Sequence, residues 1–344
     1  MRVPAWLAWF LLGITFLTAG VLRQFHSEIP RSPYVNPLVG SLLFAAVFFL
    51  LLVAAREWRL GALPGAGIRL GSLTPILLML LLEKWISIGL YDPIFFLVVP
   101  KGLPDAALDA RYRAFAGLGL LATCALLSGF SPPAWRRTWR RIRPSRWPVG
   151  ILGLAAIVLA AYLVLWGLAS ALGSGLEFRW PAAGPLLGWV LGGQALRAFA
   201  EEYYYRSLLL SEMQRLAPRL GLRGPVAARW AALIPTALLF GMEHVRLGPP
   251  WEGPLREAAF TLALGLLLGI LVLLTENLPL VAGVHALVNW TVLGVVPRLV
   301  DDVGQPALPP GTYVGLTLAL AFVLAFLLQR RGVNRARRGL SAGA

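Results

Sequence analysis

Ten apolar stretches alternate with polar segments along the chain, near residues 5–22, 37–55, 73–90, 114–130, 149–172, 185–210, 226–244, 257–275, 278–297 and 311–328. A bilayer core about 30 Å thick is crossed by about 20 apolar residues wound as an α-helix. In lipid the backbone amides have no water to bond, so an isolated apolar run must satisfy them internally, as a helix does. The pattern predicts an all-α polytopic transmembrane bundle of about ten spans. Ala5 to Leu22 is too long for a signal peptide and no convincing small-residue cleavage site follows it, so it reads as a retained first span. Pro132, Pro133, Pro144 and Pro148 bracket an arginine-rich segment and divide the chain. Residues 1–147 form a four-span region ending in a basic loop, 148–329 a six-span core, and 330–344 a basic tail.

Composition agrees with the pattern: 58% of the 344 residues are hydrophobic and 14% charged, and the mean hydropathy is +0.72, outside the range of water-soluble domains. The net charge is +15, and its placement decides what it means. Arginines gather at 136, 137, 140, 141, 143 and 146, and again at 330, 331, 335, 337 and 338. Together with Arg56, Arg59, Arg69, Arg215, Arg219 and Arg223 they fall on one side of the ten-span count, which puts both termini in the cytoplasm. Anionic lipid is the partner expected at these basic loops. No stacking platform or recognition helix accompanies them, which excludes nucleic acid. The single cysteine, Cys124, lies in an apolar run and reads as packing.

Ionisable groups within the hydrocarbon layer cost a few kcal/mol each, so clusters of them are candidate functional sites. Glu83 and Lys84 are adjacent in the third stretch; neighbours sit about 100° apart on a helix, so each is expected to find another partner, in a structural role. Three clusters follow. In Glu201-Glu202-Tyr203-Tyr204-Tyr205-Arg206, helical spacing puts Glu202 opposite Arg206 as an ion pair. Glu201 is left without a local cation, unless Arg197 turns to it, and is available as a general base. The tyrosines read as an interfacial girdle before a substrate groove. In Phe240-Gly241-Met242-Glu243-His244, Phe240 and His244 share a face. In His285-Ala286-Leu287-Val288-Asn289, two polar groups four apart aim at one point, which serves a reaction centre or a helix–helix hydrogen bond equally well.

The motifs Glu-Glu-x-x-x-Arg at 201–206, Phe-x-x-x-His at 240–244 and His-x-x-x-Asn at 285–289, in that order on successive apolar segments, resemble those of the CPBP family, also called Abi. That family includes type II CAAX prenyl proteases and bacteriocin-processing enzymes, and the resemblance covers roughly residues 185–300. It implies an intramembrane protease acting on a membrane-anchored or lipidated protein or peptide. Glu201 and His244 would activate water, His285 and Asn289 would stabilise the oxyanion, and Glu202, Arg206 and Phe240 would support the site. No cofactor is favoured, because no His-Glu-x-x-His pair is present. A zinc ion held by Glu201, His244 and His285 is the alternative within the same activity. A transporter or channel with a buried Glu/His site is the rival of another class.

Overall fold

The computed structural model describes residues 2–3, 68–86, 94–95, 98–99, 103, 105–130, 132–171, 177–181, 184–222, 224–244, 252–300 and 307–341. Nearly all of them are helical. The α-helices are α1 Leu70–Ile86, α2 Asp105–Phe130, α3 Pro132–Ile142, α4 Trp147–Ala171, α5 Pro185–Glu202, α6 Leu210–Leu216, α7 Pro225–His244, α8 Glu252–Thr275, α9 Leu278–Leu293 and α10 Pro310–Ser341. Strands β1 Arg2–Val3 and β2 Ile68–Arg69 pair antiparallel, as do β3 Glu177–Arg179 and β4 Arg298–Val300.

Five helices are long and apolar enough to cross a membrane: Ala107–Gly129, Pro144–Leu168, Pro225–His244, Leu255–Thr275 and Pro310–Arg330; Leu278–Leu293 is a shorter apolar helix. The expected crossings at 5–22 and 37–55 lie outside the described residues, as does the end of the stretch at 73–90; the stretches at 185–210 and 278–297 are described but are not among the five candidate spans, the second because its helix has only 16 residues. Exposed apolar residues such as Leu152 and Leu159 on α4, and Val323 and Phe326 on α10, are what lipid-facing helix surfaces present.

Two compact units are interleaved along the sequence. One gathers the described residues of Met1–Gly102, Phe115–Trp139 and Tyr203–Gly269, the other those of Leu103–Ala114, Arg140–Glu202 and Ile270–Ala344. In the first, α1 packs on α6, and Arg215 ties them by donating to the Ser72 carbonyl at 3.1 Å while bonding Glu212 at 2.7 Å. Leu73, Ile76, Tyr204, Leu208 and Phe240 are fully buried in this unit.

In the second unit α9 packs against α5, α4 and α10. Its residues are apolar almost all round, which is the mark of a helix enclosed by others, and Leu278 through Ala282 and Val284 through Val288 are buried. Asn277 caps it, accepting from Leu280 N at 3.0 Å, and Gly294 closes it with φ +72° in the left-handed region. α5 meets the start of α2 through Gly193, where a Cβ would come within 2.8 Å of the Ala110 carbonyl oxygen.

Candidate active site

α5 does not end at Glu202. The chain continues as a π-helix over Tyr203–Leu209 before α6 resumes the α-helical course. π-turns add a residue to the turn and concentrate at functional sites. The α-helical register expected for 202–206 therefore does not hold beyond Glu202, and Ala200 through Met213 are buried without interruption.

The second unit carries Glu201, Glu202, His285 and Asn289 together. Gln194, Arg197, Ala198 and Glu201 share one stripe of α5, at the spacing of helical turns. Arg197 does turn to Glu201: its Nε donates to Oε1 at 2.7 Å, so the carboxylate is ion-paired, contrary to the expectation that it lacks a cation. The reason is that an arginine four residues ahead in the same stripe reaches it, with its own side chain still partly solvated. The other oxygen, Oε2, is turned to His285 Nε2, 3.8 Å away. Glu202 Oε1 lies 2.9 Å from His285 Nδ1. A carboxylate only accepts, so the proton of this bond sits on Nδ1. Both side chains are buried, which makes this a charge-assisted bond in an apolar surrounding.

Asn289, one turn after His285, lies 3.5 Å from the side-chain amide of Gln194. Trp290 Nε1 donates to the Leu191 carbonyl at 3.2 Å and holds α9 against α5 at this level. Arg113 on α2 completes the group, bonded to Asp109 at 2.6 Å and with Nε and Nη1 each 3.0 Å from the Gln194 side chain. Gln194 was not singled out from the sequence, although it precedes Glu201 by two helical turns, and nothing in the sequence points to Arg113.

The first unit carries His244, Phe240 and Arg206. His244 ends α7; its Nδ1 lies 2.7 Å from the Phe240 carbonyl oxygen, which can only accept, and its ring stands 4.3 Å from that of Phe240. Nδ1 is thus the protonated nitrogen, which leaves Nε2 as the one able to accept a proton. The Arg206 guanidinium lies over the rings of Phe240 at 4.2 Å and Tyr205 at 5.5 Å and donates to the Gly265 carbonyl at 3.3 Å.

The tyrosine run is buried rather than a girdle. Tyr204 donates to the Met79 carbonyl at 2.9 Å, Tyr203 lies 3.4 Å from the Ser128 hydroxyl, and Tyr205 donates to Glu243. Glu83 and Lys84, expected to face apart, pair at 2.6 Å, and Lys84 reaches Glu243 at 2.7 Å. Glu243 is the acidic centre that draws them together: a long lysine side chain swings towards two carboxylates when burial leaves no water to solvate it.

A zinc ion asks for three open donors. Arg197 bonds Glu201 Oε1 and Glu202 bonds His285 Nδ1, and a carboxylate on Nδ1 orients a metal-binding imidazole as well as a catalytic one. Among the described residues no group of three His, Cys, Asp or Glu side chains is arranged to hold a metal ion.

No curated protein and no solved structure matches the chain significantly. Residues 182–291, roughly a third of the 344-residue chain, are similar to the family described as type II CAAX prenyl endopeptidase Rce1-like, and the apolar helices of the described residues are those of an integral membrane protein.

Proposed function

We propose that the protein is an intramembrane endopeptidase that hydrolyses a peptide bond in a membrane-anchored or lipidated protein or peptide by a glutamate-activated water. The observation that carries this reading is His285, with Glu202 at 2.9 Å on Nδ1 and Glu201 Oε2 3.8 Å from Nε2. Glu201, anchored through Oε1 by Arg197, takes a proton from water through Oε2 as the water oxygen attacks the scissile carbonyl carbon. The resulting oxyanion is held by His285 and Asn289. To donate through Nε2 while Nδ1–H is held by Glu202, His285 acts with both nitrogens protonated. Collapse of the tetrahedral intermediate breaks the C–N bond, and Glu201 returns its proton to the leaving amine. The family resemblance gives His244, whose Nδ1 is held by the Phe240 carbonyl, a share in activating the water.

Both termini are cytoplasmic in this reading, and the basic segments rest on anionic lipid. α3 supports the latter. It follows the candidate span ending at Gly129 and precedes the one starting at Pro144, so it lies at a membrane surface. Trp135 and Trp139 are exposed with rings 5.9 Å apart, and Arg136 and Arg140 are exposed on the neighbouring face. Thr138 and Arg141 are buried. Exposed indoles beside arginines suit the headgroup layer of an anionic leaflet.

The test is cleavage of a fluorogenic S-farnesyl peptide bearing a C-terminal CAAX tetrapeptide by the protein in detergent, compared with Glu201→Ala and His285→Ala. Loss of at least about 100-fold in kcat is expected for each, the size of a general acid–base contribution. Cleavage that survives both changes removes the site. The buried group of Glu83, Lys84, Glu243 and Tyr205 favours the transporter reading, in which it would relay protons; wild-type protein that cleaves no lipidated peptide but moves protons across a vesicle wall would support it.

A further inference from the structure

The side-chain amides of Gln194 and Asn289 face one another, and an amide can be seated two ways. In one, the Gln194 oxygen accepts from Asn289 Nδ2 at 3.5 Å, and the Gln194 NH2 is left against the Arg113 guanidinium. In the other, the Gln194 oxygen accepts from Arg113 Nε and Nη1, both at 3.0 Å. Arginine has donors and no acceptor, so only the second seating satisfies both partners. Gln194 is buried, 2% exposed, so a misplaced amide has no water to relieve it.

One seating dictates the next. With its oxygen on Arg113, Gln194 turns its NH2 to Asn289, and Asn289 must answer with Oδ1. Its Nδ2 then points away from Gln194. We propose that Arg113 and Gln194 are positioning residues that orient the Asn289 amide so that it presents N–H, and not C=O, to the reacting carbonyl oxygen. An asparagine amide seated the other way would set a carbonyl dipole against the developing oxyanion and oppose the reaction. The relay begins at Asp109, which holds the guanidinium at 2.6 Å, and its approach depends on Gly193, where a Cβ would meet the Ala110 carbonyl oxygen of α2 at 2.8 Å. This inference rests on the protease reading and on the oxyanion role of Asn289 within it.

Gln194→Glu tests it, because the change keeps the volume and the Arg113 contact, replaces the N–H that holds Asn289 Oδ1 with an acceptor, and adds a charge that the Arg113 guanidinium meets. With the farnesyl peptide, kcat is expected to fall about three- to tenfold, the rate equivalent of one net hydrogen bond, with KM changed less than kcat. In an Asn289→Ala background the same substitution is expected to cost nothing further. Arg113→Lys, which still offers only donors, is expected to retain more kcat than Arg113→Leu. An unchanged kcat in Gln194→Glu, or an equal loss with and without Asn289, overturns the relay while leaving the protease intact. If Asn289→Ala itself is silent, the oxyanion role fails instead. If the wild type cleaves nothing, the protease reading fails, and thermal unfolding still judges the pairing. Arg113→Leu and Gln194→Leu should then be less damaging together than the sum of the two, and strict additivity refutes it.

Discussion

The imidazole of His285 is bonded to Glu202, at 2.9 Å, and not to Glu201, whose nearer oxygen stands 3.8 Å from the other ring nitrogen. Two neighbouring acids on one helix end thus address the two edges of one ring. Glu202 holds the proton on Nδ1, and Glu201 faces Nε2. The division follows from the roughly 100° between neighbours on a helix, which lets adjacent carboxylates approach a single group from different sides.

Glu202→Gln is expected to lower kcat about 10- to 100-fold while Glu201 remains in place. A hydrogen bond to a charged group contributes about 1.5–3 kcal/mol, and the amide replaces the charged acceptor with one that can seat either way. Cleavage of the farnesyl peptide under saturating conditions measures it. A rate within twofold of wild type would show that Glu202 does not set the ring.

Lys84→Met is expected to lower folded yield and the thermal midpoint severely, because it leaves Glu83 and Glu243 buried without their cation. Removing one member of a buried charge pair costs about 3–5 kcal/mol. Adding Glu83→Gln and Glu243→Gln should recover much of the loss. Size-exclusion profiles in detergent and a melting curve distinguish the two outcomes.

Stripping metals with a strong chelator is expected to leave peptide cleavage unchanged. In a glutamate mechanism the proton acceptor is Glu201 and the anion is met by His285 and Asn289, so no ion is consumed by dialysis. Activity that disappears and returns only with added zinc would replace this mechanism with the metal-assisted one.

Arg136→Gln with Arg140→Gln is expected to weaken phosphatidylglycerol binding about 10- to 30-fold, at about 1 kcal/mol for each arginine near an anionic surface. Phosphatidylcholine binding should not move. Lipid titration by native mass spectrometry reads both. Arg137 is not part of this face, since it donates to the Ser211 carbonyl at 3.4 Å and to Gln214 at 3.5 Å.

Much of this could be read before any coordinates. Period and length alone expose the apolar helices, because hydrophobic length is a property of a local segment. The same local logic places His285 and Asn289 on one face and separates Glu201 from Glu202. It also puts Gln194 and Arg197 in the stripe with Glu201. What partner each group finds is another matter. Arg113 meets Gln194 across α2 and α5, Lys84 meets Glu243 across α1 and α7, and Glu202 meets His285 across α5 and α9. Those pairings depend on which helices touch and at what height. The π-turn at Tyr203–Leu209 is of the same kind: each of its residues tolerates an ordinary α-helix, and the added residue is accommodated by packing of buried tyrosines. Local spacing can nominate a buried charge, but which group neutralises it is decided by whatever polar partner the packed helices bring within about 3 Å, because nothing else in a dry interior can.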